Sequence, residues 1–537
     1  MSAMRRRDFL RLAGGTAVGA AALGACGSNA HSSGSTTPGT STSPSTTSRT
    51  PTTTPAVPTA AEWQTFGSSL QGELVLPSSP SYATDVQSYN PVFNGAHPEG
   101  IAYCASSGDV AKAVAFGRRF EVPLSIRSGG HCYGGWSTGT GLVIDVTPMN
   151  QVSVDTASGR VTAGSGTRLV DFYGALAPHG VAVPGGSCPT VGLAGLTMGG
   201  GLGVLGRKFG LTCDNLVAAE VVLASGEVIT CNSTQHSDLY WALRGGGGGS
   251  FGVVTSFTFT THPIGELGLF TLVWPWAAAP EVVAAWQSWA PHAPDELWSN
   301  CLLLASQQTP SGHAAVARVT GVYVGPQSEL QTLVNQLTGA VPGAPFTNFV
   351  GQSGYLDTML IEAGCDGDTV AQCHLPTANP SGILTRAPFA ATSDIMQSPL
   401  SSAGITALLA VVEQRQTSPV LSGGGVELDA SGGAINRVPA NATAYVHRSA
   451  LATVQFSANW NEGDRTSVVD ANQAWLQAAW TSTRPYLSGN AYVNYLNADL
   501  PDWQQAYYGA NFPRLQQVKA VYDPGNVFHF AQSIPLR

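Results

Sequence analysis

At 537 residues the chain can bury a large core and is long enough for two or three domains. Only 11% of its residues are charged and the formal net charge is -9, which argues against a phosphate-backbone partner that needs clustered Lys and Arg. Nine cysteines are too few, at this length, for a scaffold held together by disulfides.

The first 26 residues read as an address rather than as structure. Arg5-Arg6-Arg7-Asp8-Phe9-Leu10 is a twin-arginine pattern. The apolar stretch at 12–23 that follows is too short and too rich in small residues to span a bilayer. It ends in Leu23-Gly24-Ala25-Cys26, the form of a lipoprotein box. The expectation is export by the twin-arginine route and a lipid on Cys26, the chain's one link to a membrane, holding it outside the cytoplasm. An ordinary secretion signal with an incidental cysteine is the plainer alternative. Residues 27–60 are almost all Ser, Thr, Pro and Gly. That composition buries too little apolar area to offset its ordering entropy, so a disordered spacer is expected.

From 61 to 265 short helical and strand-like stretches alternate with glycines. Residues 110–116 suit a helix; 123–127, 142–146, 217–223 and 250–259 suit strands. From 266 to 490 the character shifts. Trp274, Trp276, Trp286, Trp289 and Trp298 cluster, 404–415 has a helical pattern and 453–460 alternates polar and apolar, together suggesting a second, substrate-facing domain. From 491 to 537 a strand at Tyr492 and a helix over 512–521 are expected. Cys365 and Cys373 are near enough in sequence to close a small loop.

Glycine runs occur at 129–135, 185–203 and 245–252. Glycine lets backbone approach a ligand closely, and successive N–H groups can take a pyrophosphate. Flexible loops also gather glycine, and none of the runs has P-loop spacing or a clean Rossmann turn. Two runs carry a reactive side chain: Arg127-Ser128-Gly129-Gly130-His131-Cys132-Tyr133 and Gly185-Gly186-Ser187-Cys188-Pro189-Thr190-Val191-Gly192. Alone, His131 reads as a hydrogen-bonded structural histidine and Cys188 as an inert buried thiol. A shared metal lacks further ligands at suitable spacing. Together the two suggest an imidazole and a thiol gripping one flat cofactor.

These runs resemble the berberine-bridge-enzyme-like flavoprotein oxidases. So do Gly199-Gly200-Gly201-Leu202-Gly203, Arg207-Lys208-Phe209-Gly210-Leu211 and Asp214-Asn215, and the C-terminal Tyr507-Tyr508-Gly509-Ala510-Asn511, Lys519, Asp523-Pro524 and Gln532-Ser533-Ile534-Pro535. The likeness covers about 90–265 and 440–537. It implies an α+β fold with three parts: a two-part PCMH-type FAD-binding domain at 61–265, a substrate domain built on an antiparallel sheet covered by helices at 266–490, and a segment at 491–537 that returns to the FAD domain. It implies FAD bonded at its 8α carbon to His131 and at ring carbon 6 to Cys188. To the cofactor it also assigns Arg127, Ser128, Gly129, Gly130, Val191, Gly192, Gly195, Gly199, Gly200, Gly201, Gly203, Asp214, Asn215, Gly247, Gly252 and Asn494. Ser250 stands where the family commonly has Asn.

The resemblance puts the catalytic base at Tyr495 of Tyr492-Val493-Asn494-Tyr495. On a strand Tyr492 and Tyr495 would face opposite ways, so only one would meet the flavin. A phenol titrates near about 10, so a base there needs a neighbouring cation or donor. Without the resemblance the pair reads as one core and one surface tyrosine. Thr453, Gln455, Ser457 and Asn459 share a strand face, which is either a solvent side or a site wall with Gln455 on the substrate. Family members often carry a carboxylate two residues before that Gln. Thr453 stands there, so no carboxylate is expected at that place, which leaves more of the work to Tyr495, with Tyr133 helping to stabilise charge. Val191 matches a position that tends to govern oxygen access and resembles the oxidase type. The expected activity is hydride transfer from a neutral hydroxylated small molecule (a sugar, an alcohol or a secondary metabolite) to the flavin, with O2 as acceptor giving H2O2, in a low-charge pocket and with no nucleic acid. A flavin dehydrogenase using another acceptor and a non-catalytic solute-binding lipoprotein are the rivals.

Overall fold

The computed structural model describes residues 57–421 and 423–537. The twin-arginine segment, Cys26 and nearly all of the spacer lie outside the described residues. The spacer's expected end at 60 is too late, because helix Ala60–Ser69 has already begun there. Thr59 caps it: its hydroxyl accepts the Glu62 N–H, and the Glu62 carboxylate accepts the Thr59 N–H at 2.8 Å. This capping box and the buried Trp63 and Phe66, both with ring centroids 4.5 Å from Phe116, override the low-complexity composition just before them. Among the described residues no helix is long and apolar enough to cross a membrane.

Two small sheets come first. Glu73–Val75, Gly100–Tyr103, Leu142–Asp145 and Leu124–Arg127 lie in that spatial order, the last three parallel to one another. Helix Ser107–Phe120 makes the crossover that parallel pairing demands. It outruns the expected 110–116 because the Ser106 hydroxyl caps its first turn and the chain leaves it only at left-handed Glu121. The second sheet is antiparallel, in the order Val152–Asp155, Arg160–Gly164, Val253–Thr260, Leu216–Val222, Val228–Asn232.

The third sheet is antiparallel with seven strands: Thr347–Ser353, Leu267–Pro275, Gly312–Tyr323, Leu297–Thr309, Gly424–Ala430, Ala452–Asn459, Phe389–Met396. Helices Ala279–Trp289, Gln327–Ala340, Ser402–Thr417 and Thr466–Thr483 pack on it. The period of two sorts its faces. Val454, Phe456, Ala458, Cys301 and Leu303 are fully buried, while Gln455, Ser457, Asn459, Asn300 and Leu302 line a large cavity. The fold is therefore α+β.

Two buried cations join these parts. Arg207 donates to the carbonyls of Leu297 (2.7 Å), Pro291 (3.1 Å), Ala293 (2.6 Å) and Ser431, tying the glycine-rich region to the large sheet. Lys519 pairs with Asp523 at 2.6 Å and donates to Ser250 O and Phe528 O, fastening the C-terminal segment. The tail Tyr492–Tyr495 is not the expected strand. It is a turn, closed by Tyr495 N–H to Tyr492 O at 2.9 Å and pinned by Tyr492 N–H to Ser393 Oγ at 3.0 Å.

Candidate active site

The three glycine runs meet around one cavity of about 1860 Å³, well above the ~300–1,000 Å³ of ordinary small-molecule pockets. Two of the runs cross at Gly129 and Gly192. A Cβ on Gly192 would collide with Ser128 Oγ and the Gly129 nitrogen, so only glycine lets the backbones pass. Ser128, Gly129, Gly130, Gly192, Gly195, Gly203, Gly247 and Gly252 all line the cavity. So do Ser137 and Thr138, whose buried hydroxyls have no protein partner. Backbone N–H groups of Gly134, Gly135, Trp136 and Ser137 converge on Cys132 Sγ, so the loop after His131 turns its donors inward. Space, bare backbone and unsatisfied donors fit a long, phosphate-bearing ligand such as a dinucleotide.

His131 stacks on Tyr89 (centroids 3.7 Å apart, 18° between planes), and its Nε2 lies 2.8 Å from Thr190 Oγ1. Burial, then the Arg168 charge, lowers its pKa to about 3, so the ring is neutral. Cys188 is free, and its thiol is exposed to the cavity while protein surrounds it. That burial, and then Glu427, push the thiol up to about 11. The same thiol lies within electrostatic reach of Tyr89 and Tyr133, so the two loops present their reactive groups to one region.

Gln455, Ser457 and Asn459 form a polar wall. Gln455 Nε2 donates to the Tyr133 hydroxyl at 3.3 Å, and the Tyr133 and Tyr495 rings are near-parallel with centroids 6.2 Å apart. The three residues assigned to catalysis are therefore neighbours. Because 492–495 is a turn, Tyr492 and Tyr495 do not point apart: their centroids are 5.1 Å apart and both line the cavity.

No carboxylate stands at 453, as expected, but carboxylates reach Tyr495 from the adjacent strand. Asp429 is the cross-strand partner of Thr453, and Glu427 that of Gln455. Both acids line the cavity. Asp429 bonds to Glu427 and to the Tyr495 hydroxyl, while Glu427 accepts from Asn300 Nδ2 at 2.8 Å. Burial first, then Glu427, raises Asp429 well above the ordinary range, and burial raises Glu427 as well. The strongest charged neighbours of Tyr495 are acids, which oppose a phenolate. Burial, then Asp429 and Glu427, raise it well above 10, and its resting form is the phenol. Glu362 also lines the cavity, raised to about 7 by burial and Glu427. The pocket is thus acidic, not low in charge. A Glu-x-Asp step on a glycine-led strand of a charge-poor chain was the available signal.

Six residues expected at the cofactor do not line the cavity. Arg127 is buried against Asp145 and reaches Tyr103 Oη at 3.5 Å. Asp214 takes both Arg448 Nη atoms at 2.7 Å, and Asn215 donates to Phe209 O and Leu211 O. Gly199 gives way to Asn494 Oδ1; Gly200 and Gly201, at φ 125° and 88°, make the turn that donates to Tyr492 Oη. Their side chains and turns shape the loops that line the cavity. Val191 and Asn494 do line the cavity. Among the described residues no His, Cys, Asp and Glu cluster could hold a metal ion.

The profile of the FAD binding domain matches residues 98–232, and that of berberine and berberine-like proteins matches 491–535. An uncharacterized FAD-linked oxidoreductase of Bacillus subtilis is 33% identical over 476 residues, 87% of this chain and 98% of the relative. The solved structure of Physcomitrella patens BBE-like 1 superposes with a TM-score of 0.80 at 30% identity, covering 88% of this chain and 99% of that one. A chitooligosaccharide oxidase superposes with a TM-score of 0.77 at 26% identity, covering 88% and 99%.

Proposed function

The chain belongs to the berberine-bridge-enzyme-like FAD-linked oxidoreductases, and on that premise we propose that it is an oxidase for a hydroxylated small molecule, with FAD bonded to both His131 and Cys188. The observation that carries the catalytic half is the Tyr495–Asp429–Glu427 chain, ending on Asn300, in the wall of the cavity that His131 and Cys188 also line. Bound flavin supplies the hydride acceptor. Tyr495 takes the proton of the substrate hydroxyl while passing its own to Asp429, and Asp429 passes its proton to Glu427. The negative charge thus resides on Glu427 before the step and leaves the pair afterwards, so no phenolate need persist. Tyr133 and Gln455 hold the hydroxyl against Tyr495, and near-contact positioning supplies much of the rate.

The attachment half rests on local chemistry. With Nε2 protonated toward Thr190, the neutral His131 ring keeps a lone pair on Nδ1, and Cys188 offers a thiol on the same cavity. Val191 beside it leaves room for O2. Export by the twin-arginine route, with a lipid at Cys26, belongs to the same proposal: that route carries folded chains, and two bonds stop an exported protein losing a cofactor it cannot reload. The test is anaerobic reduction with a panel of sugars and alcohols, followed by admission of air. The oxidase reading expects fast reoxidation with stoichiometric H2O2; a reduced flavin that persists in air would overturn it. Release of flavin on acid denaturation would overturn the double bond.

A further inference from the structure

Residues 363–388 contain no helix or strand and follow directly on helix Tyr355–Glu362. The Cys365–Cys373 disulfide closes the start of this segment. Both cysteines are fully buried in a small apolar cluster with Val170 and Leu360, against which Leu356, Val370 and Leu384 pack. Val170 lies in the first turn of helix Leu169–Leu176, which links that cluster to the Cys188 loop. Val170 N–H donates to Pro189 O, and Leu169 N–H to Val191 O, each at 3.0 Å. On the other side of Cys188, Tyr173 Oη donates to Gly186 O at 2.6 Å. Ser187 and Pro189 also line one small void with Leu356, Leu360 and Ala363. The disulfide loop grips the same helix twice more: His374 Nε2 lies 2.9 Å from Asp171 Oδ1, and Val370 packs over Gly174. His131 is mounted differently, by its stack on Tyr89, and meets this assembly at Thr190, at the Gly129–Gly192 crossing and through the Arg168 charge at the helix start.

We propose that the Cys365–Cys373 loop is a positioning device for Cys188, acting through helix Leu169–Leu176 to hold Sγ at the edge of the flavin ring. This rests on the doubly bonded reading above. The thiol is raised to about 11, so little thiolate exists near neutrality and placement must do what ionisation does not. Closing the bond joins Sγ to ring carbon 6, releases the thiol proton and the ring hydrogen as a second proton, and sends two electrons to molecular oxygen, which leaves as H2O2. A displacement of about 1 Å costs reacting groups ~10²-fold in rate, so a loosened loop slows this step without abolishing it.

The test compares full-length wild type, Cys365→Ser/Cys373→Ser, and Asp171→Asn, which keeps the disulfide. Each is matured for the same time and digested, and the flavin on the Cys188 and His131 peptides is measured by mass spectrometry. The expected result is a fall of about tenfold or more in Cys188-linked flavin in the double variant, a smaller fall in Asp171→Asn, and His131-linked flavin little changed. Equal Cys188 occupancy in all three would overturn the proposal, as would equal loss from both sites, which marks general loosening. A wild type with no flavin on Cys188 would overturn the doubly bonded reading as well, and the peptide map separates that outcome from the other two.

Discussion

Asp429→Asn isolates the proton relay from the rest of the site. Asn has the same shape, and its amide can donate to Glu427 while its oxygen still accepts from Tyr495, so the strands Gly424–Ala430 and Ala452–Asn459 keep their register. What disappears is the group that takes the Tyr495 proton. General acid–base groups contribute ~10²–10⁴-fold, or about 3–5 kcal/mol at roughly 1.4 kcal/mol per decade. Glu427 remains one side chain further along, held by Asn300, so a loss near ~10²-fold is expected. Stopped-flow reduction under anaerobic conditions reads this step apart from reoxidation. Tyr495→Phe should fall comparably with its flavin retained, and the double variant no further than the worse single one, because the two act in series. The acid limb has a definite sign. The proposed relay starts with one proton on the pair, so filling it with a second as pH falls removes the acceptor, and because burial raises both carboxyls, reduction slows on the acid side at a higher pH than exposed carboxyls would set. A loss below about threefold, where ~10²-fold is the floor for such groups, would refute the relay.

Glu362 titrates near 7, raised by burial and by Glu427. A carboxyl raised on folding contributes stability that is present below its unfolded pKa and lost as pH rises through the folded value. Glu362→Gln should therefore raise Tm at pH 8.5, with the gain vanishing below about pH 4.5; equal Tm values at the alkaline end would contradict this. Arg207→Ala leaves four carbonyls without their charged donor, at ~1–3 kcal/mol each for buried groups, so the denaturation midpoint should drop sharply. A midpoint within error of wild type would show that the joint between the glycine-rich region and the large sheet is made elsewhere. Gly192→Ala drives a methyl into Ser128 Oγ and the Gly129 nitrogen, and should yield folded protein with depleted flavin, read from absorbance against far-UV circular dichroism.

Much of the fold was legible because its signals are local. The alternation at 453–460 became a strand with a polar cavity face, and the helical pattern at 404–415 became helix Ser402–Thr417. The tail shows where local signals mislead. Aromatic residues at 492–495 satisfy strand propensity, yet among the described residues the segment pairs with no strand. Its hydrogen bonds go instead to its own turn, to Ser393 and to the Gly200–Leu202 turn, and that non-local choice puts both tyrosines on the cavity.

The base illustrates the same limit in its chemistry. A linear motif records which residue precedes Gln455, and Thr453 there says that a carboxylate is missing. In the sheet the neighbour of Thr453 that matters is not 452 or 454 but Asp429, twenty-four positions earlier in the chain and directly across the strand pair. Antiparallel pairing sets Asp429 beside Thr453, and it is Asp429 that lines the cavity and bonds to Tyr495, so the adjacent strand supplies the acid that position 453 does not. Asp214 and Asn215 show the opposite case: they sit in ligand-binding runs, but the Asp214 carboxylate and the Asn215 amide are engaged by protein partners, Arg448 for the one and the Phe209 and Leu211 carbonyls for the other, whereas buried Arg127 pairs with Asp145 through Nε and keeps Nη1 without a partner. Proximity in sequence to a binding loop marks what shapes the loop as readily as what touches the ligand, and only the partner of each polar atom tells the two apart.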